Sequence, residues 1–358
     1  MLNFTVGPVM SSESVLKVGA KQTPYFRNDE FSRVMFENEE LMKEFVYASD
    51  DSRVVFITGS GTAAMEATVM NVFNSEDKVL IVNGGGFGQR FVDLCKLHEI
   101  PHDEIRLDFG QNITSKVLED YDGKDYTGFL VNICETSSCV YYDLDVISEF
   151  CTKNDIFLVV DAISSFLANP LNMVENDIDV VISGSQKALA CPPGISVIVL
   201  GENVIKRVEN NTCKSMYFDL KGMLKNGERG QTPFTPAVTI LLQINERLKE
   251  IKKHGGVEAE IEKVATLAND FRNRIEDLPL EIPHSNLGNS VTSVCCIDSQ
   301  ASDIVDALKQ DYDIWVNPNG GEIGEKMFRV GHIGDLTLKD NNKIIDALKD
   351  LEKRGILK

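Results

Sequence analysis

An excess of positive charge is missing from this sequence. Lysine and arginine number 36 against 55 aspartates and glutamates, a net charge of −19. That balance excludes a face built to grip nucleic acid, which needs clustered cations, and an anionic membrane surface would repel it. Metal-binding cysteine spacing is missing too. Cys95, Cys134, Cys139, Cys151, Cys191, Cys213, Cys295 and Cys296 form no Cys-x-x-Cys pair and have no histidine-rich companion segment. A zinc site is therefore not expected, and most of these thiols sit in apolar runs, as reduced core cysteines do. No apolar run approaches the ~18 residues of a membrane span. The N-terminal MLNFTVGPVM lacks the basic stretch and apolar core of a secretory signal. Internal repeats and low-complexity segments are absent as well. These absences predict a soluble, cytoplasmic protein without a bound metal, whose partners are small molecules.

What is present is a strand–helix alternation. Between about residues 50 and 200 the runs VVFI (54–57), KVLIV (78–82), GFLVNI (128–133), IFLVV (156–160), DVVI (179–182) and ISVIVL (195–200) are separated by helical patterns such as AAMEATVMNVF and GQRFVDLCKLH. Runs of Val and Ile without polar alternation predict strands buried on both faces, hence an α/β chain with a mostly parallel sheet. Two long helices are predicted over 237–253 and 257–278, broken at His254-Gly255-Gly256. Beyond Pro283 strand-like SVTSVCCI, helical ASDIVDALKQ, strand-like MFRVG and helical NNKIIDALKDLEK predict a small α+β domain. The expected organisation is a large domain over 16–255 and a small domain formed by 1–15 with 256–358.

In a parallel sheet, ligands bind beyond the carboxyl ends of the strands. Four such ends carry chemistry. VVFITGSGTAAMEA places Gly59, Ser60, Gly61 and Thr62 between a strand and a helix start. Free N–H groups and the helix dipole there suit a phosphate, although a tight turn with a threonine N-cap reads equally well. The same stretch matches G-x-G-x-x-A, but the next strand ends at Val82-Asn83-Gly84 without the acid that a dinucleotide site requires. NGGGFGQRF surrounds Phe87 with glycines, either as a hydrophobic anchor in a loop or as a ring lying on a planar ligand. Asp161 follows five apolar residues in IFLVVDAISS; it is either a helix cap or surface acid, or the partner of a buried cationic nitrogen such as a pyridinium. Lys187 follows Ser183-Gly184-Ser185-Gln186 and precedes Pro192-Pro193-Gly194. A lysine held against apolar walls loses its proton readily and forms a Schiff base with an aldehyde. Phosphate cradle, stacking ring, buried acid and lone lysine together are what pyridoxal 5′-phosphate needs.

GSGTAAMEA, NGGGFGQRF, CETSS, VVDAISS, GSQKALACPPG and FRVGHIG occur here in the order seen in the class V pyridoxal-phosphate-dependent aminotransferases. The chain resembles their alanine–glyoxylate, serine–pyruvate and 2-aminoethylphosphonate branch over nearly its whole length. The resemblance implies the fold type I of pyridoxal-phosphate-dependent transferases. It implies that Lys187 carries the cofactor as an internal aldimine and shuttles a proton, and that Asp161 pairs with the pyridine nitrogen. Phe87 then stacks on the ring, where many relatives have tryptophan. Ser60, Gly61, Thr62 and Gln186 hold the phosphate, and Thr136, with Ser137 as second choice, faces the phenolic oxygen. Thr232 and Thr235 reach the phosphate of a neighbouring subunit, which makes a homodimer with shared active sites. Arg329 clamps the substrate carboxylate. The sequence departs from the family where Thr232 replaces a common tyrosine, Cys139 a common glycine and Phe26 a common histidine.

The expected activity is a ping-pong transamination from a small amino donor of the alanine, serine or 2-aminoethylphosphonate type to a small oxo acid such as glyoxylate or pyruvate. One alternative is a cysteine desulfurase or other pyridoxal-phosphate lyase of the same fold. That branch places histidines where Gln186 and Phe87 stand, and needs a mobile reactive thiol. A second alternative is a non-catalytic pyridoxal-phosphate-binding protein, which would not need both Lys187 and Asp161.

Overall fold

The computed structural model describes residues 1–320 and 322–358. Its centre is a seven-stranded sheet built from β1 (Arg53–Thr58), β2 (Val79–Asn83), β3 (His102–Arg106), β4 (Gly128–Asn132), β5 (Phe157–Asp161), β6 (Val180–Gly184) and β7 (Ile195–Leu200), in the spatial order β1-β7-β6-β5-β4-β2-β3. All neighbours pair in parallel except β7, which runs antiparallel to both β1 and β6. The six Val- and Ile-rich segments of the sequence become the five inner strands and the edge strand β1, all apolar because each face of the sheet is covered. On one face lie α1 (Gly61–Val72) and α2 (Gly86–Leu97), packing Met65, Val69 and Phe91 against Ile81, Leu130 and Val159. On the other face, Met42 of the helix Asp29–Phe45 and Leu241 and Ile244 of α3 (Val238–Lys253) join Phe129, Val131 and Val160 in a second core. The edge strand β3 and the helix Asp29–Phe45 were not among the expected elements. HDEIR has one buried residue in five and no apolar run to betray it.

The register gathers the site. In the parallel ladder Asn132 stands opposite Asp161, and Asp161 opposite Ile182. The carboxyl ends of β4, β5 and β6 therefore reach one edge together, with the Lys187 turn following β6. Because β7 is antiparallel to both its neighbours, β1 runs the same way as β6, and its end at Thr58 joins that edge.

A second sheet of four antiparallel strands, β8 (Leu280–Glu281), β9 (Val291–Cys296), β10 (Asn317–Pro318) and β11 (Met327–Gly331), has the order β8-β9-β11-β10. The helices Ala301–Tyr312 and Leu338–Lys353 pack on it through Ile304, Leu308, Ile344 and Leu348. The helix α4 (Gly256–Ile275) serves both cores, with Val257 and Val264 in one and Leu267, Phe271 and Ile275 in the other. The N-terminal segment does the same. Leu2 and Asn3 pair with Ile314 and Trp315, Phe4 enters the small core, and Val9 and Val15 enter the large one. Between them Val6, Gly7 and Pro8 cross the carboxyl edge of the large sheet.

We propose that the domain division read from the sequence, 16–255 against 1–15 with 256–358, holds in solution, with the exposed Lys252–Gly255 turn as its boundary. Limited proteolysis is expected to cut first at that turn. First cuts inside the seven-stranded sheet would contradict the division.

Candidate active site

One cavity of about 600 Å³ opens at the carboxyl edge of the large sheet, between the Ser60–Thr62 turn, Phe87, Asp161 and Lys187. The four segments, which read in the sequence as one site, are brought together by β1, β2, β5 and β6. Ser60, Gly61, Thr62, Phe87, Asp161, Gln186 and Lys187 all line it.

At one end, α1 starts at Gly61 after the N-cap residue Ser60, and no side chain caps it. Its first amides and the positive end of its dipole face the cavity and suit an anion. A side chain at Gly61 would place its Cβ 2.1 Å from Ile163 Cδ1, so glycine is what lets this turn approach the end of β5. Arg90 adds a cation here. Its Nη1 donates to Thr62 Oγ1 at 3.1 Å, and its guanidinium lies 4.8 Å from the centre of the Phe87 ring. Arg90 was not singled out in the sequence, although it lies three residues beyond Phe87, on the same helix face.

Asp161 lies opposite. It is 1% exposed, and its Oδ1 accepts from the Ile163 N–H at 2.9 Å and its Oδ2 from Asn132 Nδ2 at 2.7 Å. Burial pushes its carboxyl up to about 6, against those two hydrogen bonds, which favour the charged form. Asn132 is a second site residue missed in the sequence. It ends an apolar strand as Asp161 does, and its Oδ1 is buried without a donor among the described residues.

Lys187 follows β6 in a turn. Burial pushes its amine down to about 8; the nearby Arg329 charge acts the same way, and Cys134 and Asp161 oppose it. Its Nζ donates to the Val6 carbonyl, and a side chain at Gly7, where φ is +123°, would place its Cβ 2.9 Å from Lys187 Cδ. The N-terminal strap thus holds the lysine stem, and Gly7 leaves room for it.

The remaining expected residues lie outside the lining. Thr136 is buried, and its Oγ1 lies 2.7 Å from the hydroxyl of Ser164, which stands between it and the cavity. Ser137 bonds to Glu135 and Gly86. Arg329, on β11, donates to the carbonyls of Thr136 and Pro318, both at 2.9 Å, and its Nε is buried without a partner among the described residues. Thr232 is buried, with its hydroxyl donating to the Phe234 carbonyl at 2.7 Å, while Thr235 is exposed. Their segment sits beside the cradle, since the Ala237 N–H donates to Thr58 Oγ1 at 3.0 Å. Arg27 ties this segment down by donating to the carbonyls of Thr232 and Pro233. Among the described residues no cysteine lines the cavity. Cys295 and Cys296 lie in β9, where burial pushes both thiols up.

The family model described as "Aminotransferase class-V" matches residues 18–330. An uncharacterized aminotransferase of Helicobacter pylori is 27% identical over 99% of this chain and 95% of its own length. The 2-aminoethylphosphonate–pyruvate transaminase of Phocaeicola vulgatus is 26% identical over 98% of this chain and 99% of its own. The crystal structure of an alanine–glyoxylate aminotransferase from Nostoc superposes with a TM-score of 0.92 at 24% identity, over 98% of this chain and 95% of that one. The chain belongs to the class V aminotransferases, enzymes that depend on pyridoxal phosphate, and has their fold. Its cavity fits that cofactor. An uncapped helix N-terminus suits the phosphate, a buried carboxylate without a cationic partner among the described residues suits the ring nitrogen, and a depressed lysine suits the aldehyde.

A depressed Lys187 has a direct signature. Its neutral, nucleophilic fraction grows as pH rises through about 8, whereas an ordinary exposed lysine responds near ~10.4. Labelling of the cofactor-free protein with an amine-reactive probe, followed by peptide mass mapping, is expected to show the Lys187 peptide rising two units or so earlier than the others. A Lys187 profile overlapping that of the exposed lysines would contradict the burial argument.

Proposed function

We propose that the protein transfers an amino group from a small donor of the alanine, serine or 2-aminoethylphosphonate type to a small oxo acid such as glyoxylate or pyruvate. The observation that supports this reading is the shared cavity, in which Asp161 and Lys187 are both sequestered and neither has an opposite charge within ion-pair distance among the described residues. Pyridoxal phosphate, when bound, supplies an aldehyde that condenses with amines and a ring that accepts an electron pair.

The chain's own residues divide the work. Ser60, Gly61, Thr62 and Gln186 hold the phosphate, with Arg90 adding a positive charge behind Thr62. Phe87 covers one face of the ring. Asp161 keeps a proton on the ring nitrogen, and Asn132 holds the carboxylate in place through its Nδ2 hydrogen bond. Lys187 would anchor the cofactor through its Nζ and would hold and return the substrate's α-proton at that same nitrogen; an amine lowered to about 8 suits a group that must both accept and return a proton. Arg329 would take the substrate carboxylate with its planar guanidinium by exchanging its bonds to the Thr136 and Pro318 carbonyls for it. Thr136 lies within one hydroxyl of the cavity, through Ser164, and would orient that hydroxyl toward the phenolic oxygen. Thr235, exposed beside the cradle, would reach the phosphate of a second copy, and Thr232 would shape the segment that carries it. The active form is accordingly a homodimer with shared sites, and the setting cytoplasmic.

A panel of donors and acceptors tests the reading, with Lys187→Ala as control. The wild-type protein is expected to yellow with pyridoxal phosphate and to turn over at least one small donor with glyoxylate or pyruvate; Lys187→Ala should lose both the visible band and the turnover, by at least about 10³-fold. Sedimentation should give a dimer. A Lys187→Ala protein that retains turnover, or a fully active monomer, would refute the corresponding assignment.

A further inference from the structure

Glu135 is a buried acid, 1% exposed, to which the site as described gives no task. It lies just beyond β4, in CETSS, and its carboxylate points at the start of α2. Oε2 accepts from the N–H groups of Phe87 at 3.1 Å and Gly88 at 3.0 Å. Oε1 accepts from the Ser137 N–H at 3.2 Å and from its hydroxyl at 2.5 Å. Ser137 Oγ in turn accepts from the Gly86 N–H at 3.2 Å. The first three amides of α2 are thus all satisfied from this one segment.

The helix cannot do this for itself. Its N-cap residue is Gly85, which has no side chain to offer, whereas helices ordinarily begin with Ser, Thr, Asp or Asn at that position. Nor does another residue fit at Gly85. A Cβ there would lie 2.3 Å from Ser137 Oγ and 2.6 Å from Glu135 Cδ. The glycines of NGGGFG therefore admit an external cap. A buried carboxylate is costly unless hydrogen-bonded. Here several donors and the positive end of a 12-residue helix compensate it. An amide would not serve as well, because its NH₂ would face N–H donors.

We propose that Glu135 is a positioning residue: it caps α2 from the neighbouring strand end and thereby fixes the Phe87 ring over the cavity. Phe87 is the second residue of the helix, and its own N–H is one of the capped groups, so slack in the cap moves the ring directly. Ser137 extends the cap by one amide. The consequence for the ring rests on the cofactor reading above; the capping itself does not.

Two variants of the full chain, Glu135→Gln and Ser137→Ala, separate the two. Amide hydrogen exchange is measured on the cofactor-free protein, and the dissociation constant and visible circular dichroism of pyridoxal phosphate on the loaded one. Glu135→Gln is expected to speed exchange at Phe87 and Gly88 about tenfold or more, to weaken cofactor binding by a similar factor and to shrink the dichroic band. Ser137→Ala should speed exchange at Gly86 severalfold, with a smaller effect on the cofactor; it carries the test if Glu135→Gln does not fold. Unchanged exchange at residues 86–88 would overturn the cap. Faster exchange with wild-type cofactor affinity and dichroism would overturn the positioning role. A wild-type protein that takes up no pyridoxal phosphate would instead overturn the cofactor reading, and the exchange data would still decide the cap.

Discussion

Two ionisable groups in one cavity, Asp161 buried and Lys187 half-buried, neither with an opposite-charge partner among the described residues, are the constraint on which the rest of this structure depends. Asp161 sits at the floor with its carboxyl raised to about 6, and Lys187 at the wall with its amine lowered to about 8. Both shifts run against charge, and both have desolvation as their largest cause. A fold that only had to be stable would remove such groups or bring them together. Here the parallel register fixes Asp161 beside Asn132, and the strap at Val6–Pro8 holds the lysine stem, so the two remain apart. A ligand with a basic ring nitrogen at one point and an aldehyde at another relieves both.

The surroundings follow from the same geometry. A parallel sheet brings its strand ends to one edge, and α1 and α2, each following a strand, begin there. One start, at Gly61, is left uncapped and open to an anion. The other, at Gly86, is capped by a carboxylate from another strand end and carries an aromatic ring. Two helix N-termini of one sheet thus have opposite treatments, and the difference lies in which neighbouring segment supplies an acceptor.

Much of this was legible in the sequence because each strand-end residue breaks an apolar run. Asp161 after IFLVV and Lys187 after DVVISGSQ stand out for that reason, and both line the cavity. Asn132 breaks the run GFLVN in the same way but is uncharged, so its burial carried no obvious cost. Glu135 follows Asn132 too closely to be told from a loop acid; its burial depends on the long-range approach of Gly85. Arg90 reads as one more charged residue on a helix until the fold places it over Phe87. The strand His102–Arg106 was illegible because an edge strand with one buried residue has no periodic signal. The ties of Val6 and Gly7 to Lys187 span about half the chain in sequence, and no local pattern encodes such a contact.

The most direct measurement traps the cofactor where it is bound. Protein loaded with pyridoxal phosphate is reduced with borohydride, digested and mapped by mass spectrometry. The account predicts one labelled peptide, with the phosphopyridoxyl group on Lys187 Nζ. A label on any other lysine, or no label on a protein that has taken up the cofactor, would contradict it.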